Sequence, residues 1–168
     1  MKSIDTTLYE GMRTEAQRTA RRRVHHCLHA SPDDPVQRLV VDMEPGTYIR
    51  PHRHKKQEKW ELFLCLAGSG SVLLFDDAGL LTEKVAIGAG GPRYGVEIPA
   101  GIWHTLIIEE PGTLLVEIKP GPYAVLPEED FAPWAPAEGE AAAAGFEAAL
   151  HGLAVGKAVT SCNSGREK

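Results

Sequence analysis

Residues 51–61 read PHRHKKQEKWE: Pro51, His52, Arg53 and His54, then a run of charges carrying glutamates at 58 and 61. The histidines stand at i and i+2, a spacing that on a β-strand sends both imidazoles to one face. About fifty residues later the chain reads Pro99-Ala100-Gly101-Ile102-Trp103-His104, a turn that leads into the apolar run HTLIIE. A third histidine at the start of a strand meets the first two only if the sheet curls on itself. The stretch therefore asks for a strongly curved β fold.

The flanking sequence supplies one. From Val36 to Pro120, short β-rich runs recur: 36–43, 47–50, 60–66, 71–76, 80–87, 94–98, 104–109 and 113–118. Turn signals such as Glu44-Pro45-Gly46, Gly68-Ser69-Gly70 and Pro99-Ala100-Gly101 separate them. About eight strands at roughly 8–12-residue spacing predict an antiparallel sandwich or barrel. Runs such as SVLLF and TLLVEI are apolar beyond simple alternation, so both faces of some strands should be covered. Residues 8–22 read as a short amphipathic helix and 138–154 as a second helix. Between barrel and second helix, GPYAVLPEEDFAPWAP should wrap the sheets, because Phe131 and Trp134 need burial. The expected division is an N-terminal helical segment (1–30), a β-barrel with its wrapping loop (31–136), and a C-terminal helix with a mobile tail (137–168).

Composition sets limits on function. The chain has 168 residues with 43% hydrophobic and 24% charged, enough for one domain with a core. A formal net charge of -5 argues against a nucleic-acid partner. No apolar stretch approaches the roughly 20 residues that span a bilayer, so no membrane role is expected. Three cysteines at wide spacing (Cys27, Cys65, Cys162) form neither a disulfide framework nor a zinc knuckle. With no secretory signal at the N-terminus, the expected location is cytoplasmic.

Three neutral imidazoles and one carboxylate make a mixed N/O donor set suited to Fe, Mn, Ni, Co or Zn. A six-coordinate ion so held keeps two open positions, and one carboxylate leaves a divalent ion net positive. Either feature would draw in a hydroxylated or anionic small molecule. The cofactor expected from the residues is thus a divalent transition metal.

Gly46-x5-His52-x-His54, Glu61-x6-Gly68 and Pro99-x-Gly101-x2-His104 resemble the two signature motifs of the cupin superfamily. The stretches DDPVQRLVVDMEPGTYIRPHRH, KWELFLCLAG, VEIPAGIWHTL and GPYAVLPEEDFAPWAPAEG are similar to WbuC-type cupin metalloproteins. The resemblance implies an all-β fold, a single jelly-roll-like cupin barrel, with a metal held by His52, His54, Glu61 and His104. It also implies a homodimer and, for some members, a setting in surface-polysaccharide biosynthesis. Cupins usually place three or four residues between the second histidine and the glutamate, a count that favours Glu58. Glu61 is preferred because it stands seven before Gly68 and opens the apolar strand ELFLCL. A loop absorbs an insertion, whereas a one-residue register shift turns every strand side chain over. The second motif departs from the family at Ile108, where an Asn that is not a ligand usually stands, and at Arg93 in place of a leading Gly.

Other residues carry weaker signals. Glu117 and Tyr123 are the candidate acid/base groups, with Glu97 a further acidic side chain on a late strand. Arg38, His29, Tyr48 and Trp103 are candidate substrate contacts, although an acidic partner is the commoner explanation for Arg38 and packing the commoner one for the aromatics. His25 and His26 fit no zinc module. Two functions stay open. One is a metal-dependent enzyme, an isomerase or dioxygenase acting on a small polar or sugar-like molecule. The other is a metal-containing binding or sensing module without turnover. An acid/base side chain facing the open metal positions would favour the first.

Overall fold

The computed structural model describes residues 1–55 and 59–159. Its elements in chain order are α1 (Thr6–Ala16), β1 (Arg23–Cys27), β2 (Val36–Met43), β3 (Glu61–Ala67), β4 (Ser69–Phe75), β5 (Leu81–Gly88), β6 (Gly95–Ile98), β7 (Trp103–Ile108), β8 (Thr113–Pro120) and α2 (Ala143–His151). The strands form two antiparallel sheets: a five-stranded sheet in the order β1-β2-β8-β3-β6 and a three-stranded sheet in the order β5-β4-β7. No strand ladder joins the two sheets among the described residues, so the expected barrel is an open pair of packed sheets. Local patterning specifies strands, but closure depends on pairing between distant strands, which no short stretch encodes.

The space between the sheets is the main core. Val41 and Met43 of β2, Phe63 and Cys65 of β3 and Leu115 of β8 meet Val72, Val85, Leu106 and Ile108 of the smaller sheet there. The opposite face of the smaller sheet is also covered, as the long apolar runs require. Leu73, Phe75 and Ile107 pack under Trp134, Ala135, Phe146 and Leu150, from the wrapping segment and α2. Burial of each side chain of this size contributes roughly 1.5–3 kcal/mol. Helix α1 covers part of the larger sheet's outer face, where Met12 meets Val40 and Leu114. Asp5 starts this helix by accepting from the Leu8 backbone N–H at 3.0 Å.

Three sequence readings change in detail. The first helix ends at Ala16, and Arg23–Cys27, inside the segment expected to be helical, is an edge strand paired to β2. Residues 47–50 join no strand ladder. Helix α2 is shorter than expected, and Gly145 sits inside it. Beyond α2, Leu81 donates to the Lys157 carbonyl at 2.8 Å, tying the start of the expected tail to β5. The rest of that tail, from residue 160, lies outside the described residues. No helix among the described residues is long and apolar enough to cross a membrane.

Candidate metal centre

Backbone pairing brings the distant histidines together. His52 and His104 form an antiparallel bridge, with N–H donated each way at 3.0 and 2.8 Å. Gly101, at φ 85°, turns the chain into β7 and donates its N–H to the His54 carbonyl at 2.7 Å. The segment 52–54 is thereby clamped beside β7. Its other side is held by Arg53 N–H to Asp130 and by Ala132 N–H to Pro51. Glu61 enters from the other sheet as the first residue of β3, paired to Ile98 of β6.

The donor atoms of His52, His54, Glu61 and His104 all lie within 4.8 Å of one another. That spread is close to the roughly 4 Å diameter of a coordination sphere with bonds of about 2.1 Å. His104 Nδ1 lies 2.9 Å from the Ile102 carbonyl and His52 Nδ1 lies 3.0 Å from the Arg50 carbonyl. A carbonyl only accepts, so each Nδ1 carries a proton, and in the neutral form of each ring the Nε2 lone pair is the one turned inward. His104 Nε2 then faces Glu61 Oε2 at 2.8 Å, and His54 Nε2 faces Glu61 Oε1 at 3.1 Å. The His54 contact lacks hydrogen-bond geometry, and that buried nitrogen has no partner among the described residues. Lone pairs opposed at such distances need a cation between them, either a proton or a metal ion. Three imidazole nitrogens and one carboxylate fit a divalent first-row transition ion or zinc.

Electrostatics agree with this donor set. Burial pushes His52 down to about 3, and His104 adds to the shift, so its ring is neutral and a ready ligand. Burial alone would push the Glu61 carboxyl up. A cation shared with His104 and His54, together with the Lys119 ammonium, outweighs it and holds the group well below the usual carboxylate range.

Beside His52, His54 and Glu61 lies a cavity of about 580 Å³, walled by the inner face of the larger sheet and by residues 122–127 and 130–131. Its inner wall carries Lys119 of β8, whose ammonium reaches Glu61 Oε1 at 2.9 Å and also pairs with Glu117. Burial opposes the charge on Lys119, but Glu117 and Glu61 outweigh it and raise the ammonium above its ordinary value. For Glu117, burial dominates and raises its carboxyl, with Lys119 opposing and Glu61 reinforcing. Lys119 escaped the sequence reading, although it stands two residues after Glu117 and so shares its face.

The other sequence candidates are placed as follows. Tyr123 is at the cavity rim and 60% exposed. Glu97, on the β6 edge, lines a different groove. The Arg38 guanidinium pairs with Asp34 at 3.1 Å, and His29 Nδ1 accepts from the Arg38 backbone at 3.0 Å. Tyr48 donates its hydroxyl to the Pro136 carbonyl at 2.7 Å. Trp103 donates to Asp77 at 2.9 Å and stacks under Arg53, 4.1 Å from the ring centroid. None of Arg38, His29, Tyr48 and Trp103 lines the cavity. Glu58, the alternative carboxylate, lies outside the described residues.

A family model described as "Domain of unknown function (DUF6016)" matches residues 4–87, half of the chain. The chain belongs to this family. The DUF6016 match contains His52, His54 and Glu61 and ends before His104. No curated protein matches the chain significantly. Similar solved structures include a conserved protein, SPY1581, from Streptococcus pyogenes (17% identity, 63% of this chain and 80% of that one, TM-score 0.48). KdgF from a Halomonas species is similar at 19% identity over 59% of this chain and 81% of its own, TM-score 0.46. A cupin-2 domain protein from Shewanella frigidimarina is similar at 18% over 58% and 80%, TM-score 0.44.

Proposed function

We propose that this DUF6016 chain is a cupin metalloprotein of the WbuC type and a metal-dependent enzyme on a small polar or sugar-like molecule. His52, His54, Glu61 and His104 would hold a divalent transition metal. The observation that carries the reading is the Glu117–Lys119 pair beside Glu61: the cavity offers acid/base groups next to the donor quartet, not only apolar walls.

When bound, such an ion polarises a substrate carbonyl or hydroxyl, or activates dioxygen. The chain's own residues supply the rest. His52 and His104 are oriented by the Arg50 and Ile102 carbonyls, so their lone pairs stay aimed at one point. Glu117, raised by burial, takes or returns a proton at its carboxyl oxygen with less penalty than an exposed glutamate. Lys119 holds Glu61 and Glu117 apart in charge and fixes the Glu61 carboxylate toward the histidines. Met43, Ile49, Phe63 and Leu106 line the cavity with apolar surface, which strengthens these interactions by excluding water.

The test is proton exchange. Metal-loaded protein is incubated in D2O with a panel of reducing sugars and hydroxy acids, and NMR follows deuterium entering next to the carbonyl. Oxygen uptake is followed in parallel. The expected result is turnover in one assay, with Glu117→Gln slowing it at least about 100-fold while metal content is unchanged. Silence of both assays across the panel would leave the non-catalytic binding module as the better reading.

A further inference from the structure

One imidazole in the cavity belongs neither to the quartet nor to the Glu117–Lys119 pair. His25, on edge strand β1, pairs in register with Val41, a core residue between the sheets. Its side chain is therefore on the inner face, and it lines the same cavity as His52, His54 and Glu61. Its backbone is held in the β1–β2 ladder, but no hydrogen bond or ion pair to the His25 ring exists among the described residues. Its cationic neighbours are already engaged. Arg23 donates to Glu138, Thr47 and the Tyr48 carbonyl, and Arg21 pairs with Glu138. Lys119 is shared by Glu61 and Glu117.

We propose that His25 is a ligand-anchoring residue that hydrogen-bonds an oxygen of the ligand at the end remote from the quartet. The proposal rests on the metal-site reading above and adds the ligand's class and length. His25 stays solvent-accessible at the cavity mouth; partial desolvation there and the charges of Arg23, Arg21 and Lys119 push its ring below the ordinary value, so it presents one N–H donor and one lone pair at neutral pH. These three cations, offset in part by Glu138, leave positive charge around the ring that favours a carboxylate or an electron-rich hydroxyl. By register His25 stands level with Leu115, two strands across and four residues along from Lys119, a backbone separation of roughly 16 Å that the two inward side chains shorten by several ångström each. A ligand touching both His25 and the Glu61–Lys119 row is therefore extended, and the class that fits is a hydroxylated carboxylate of about five or six carbons.

The probes are gluconate, long enough for both contacts, and glycolate, which reaches only one. Calorimetry on zinc-loaded full-length protein compares wild type, His25→Ala and His25→Gln, with zinc content measured in each. Gluconate should bind about tenfold more weakly to His25→Ala and within about threefold of wild type to His25→Gln, with glycolate unchanged throughout. Nitrogen NMR should show the His25 ring signals shifting on adding gluconate to wild type. If zinc is retained and His25→Ala binds gluconate as wild type does, the anchoring role is wrong and the metal reading stands. Zinc-loaded wild type that binds neither anion overturns the anchoring role likewise. If wild type holds no zinc, the metal reading fails and takes this inference with it.

Discussion

Two carboxylates buried on the five-stranded sheet behave in opposite ways. Glu61, 2% exposed on the inner face, touches His104, His54 and Lys119 and is held well below the usual carboxylate range. Asp42, 0% exposed on the outer face, has no hydrogen-bond partner for either oxygen among the described residues. Burial and the neighbouring Glu44 push its carboxyl up to about 6, against a weaker opposing pull from Arg13. Burial raises the cost of both charges; partners decide the sign of the net shift. A paired carboxylate among inward lone pairs makes a ligand set. An unpaired one under a helix is a weight on stability.

The comparison can be broken first at Lys119. Lys119→Met leaves Glu61 and Glu117 facing each other without their shared cation. Metal-free protein should lose about 3–5 kcal/mol in urea unfolding at pH 7.5. An unchanged midpoint would mean that Lys119 is not what makes burial of these two carboxylates tolerable.

Asp42 gives the smaller effect. Its folded value of about 6 exceeds the ordinary 3.8, so the native state binds the proton more tightly. Below about pH 4 both states are protonated and Asp42 costs nothing through ionisation. As pH rises from about 4 to 6 the unfolded state ionises first and stability falls; above 6 the penalty is constant. Asp42→Asn should therefore stabilise by up to about 3 kcal/mol at pH 7.5 and flatten the slope between pH 4 and 6. A stability curve with the wild-type slope would show that Asp42 finds a partner in solution.

Most of the candidate site was legible because its chemistry lies in short spacings. The His-x-His pair needs only an extended backbone, and His104 only a turn before a strand. Glu61 is preferred over Glu58 by strand register, and it opens β3. What escaped was set by distant pairing. Strand β1 places Arg23 and His25 toward a polar cavity, so it lacks the apolar alternation that marks a half-buried strand. Lys119 gains its meaning from β3, which lies beside β8 only in the folded sheet. Arg38 shares the outward parity of Val40 rather than the inward parity of Val41, but β2 is apolar on both faces, and the pattern hides this. The open edges between the two sheets likewise follow from pairing, not from any one strand.

The central claim is that four named side chains hold an ion. Elemental analysis of protein purified without added metal tests it, on wild type, His52→Ala, His104→Ala, Glu61→Gln and Glu58→Gln. Wild type and Glu58→Gln should each carry about one transition-metal ion per chain, and the other three close to none. Metal kept in Glu61→Gln and lost in Glu58→Gln, or no difference among the five, would contradict the account.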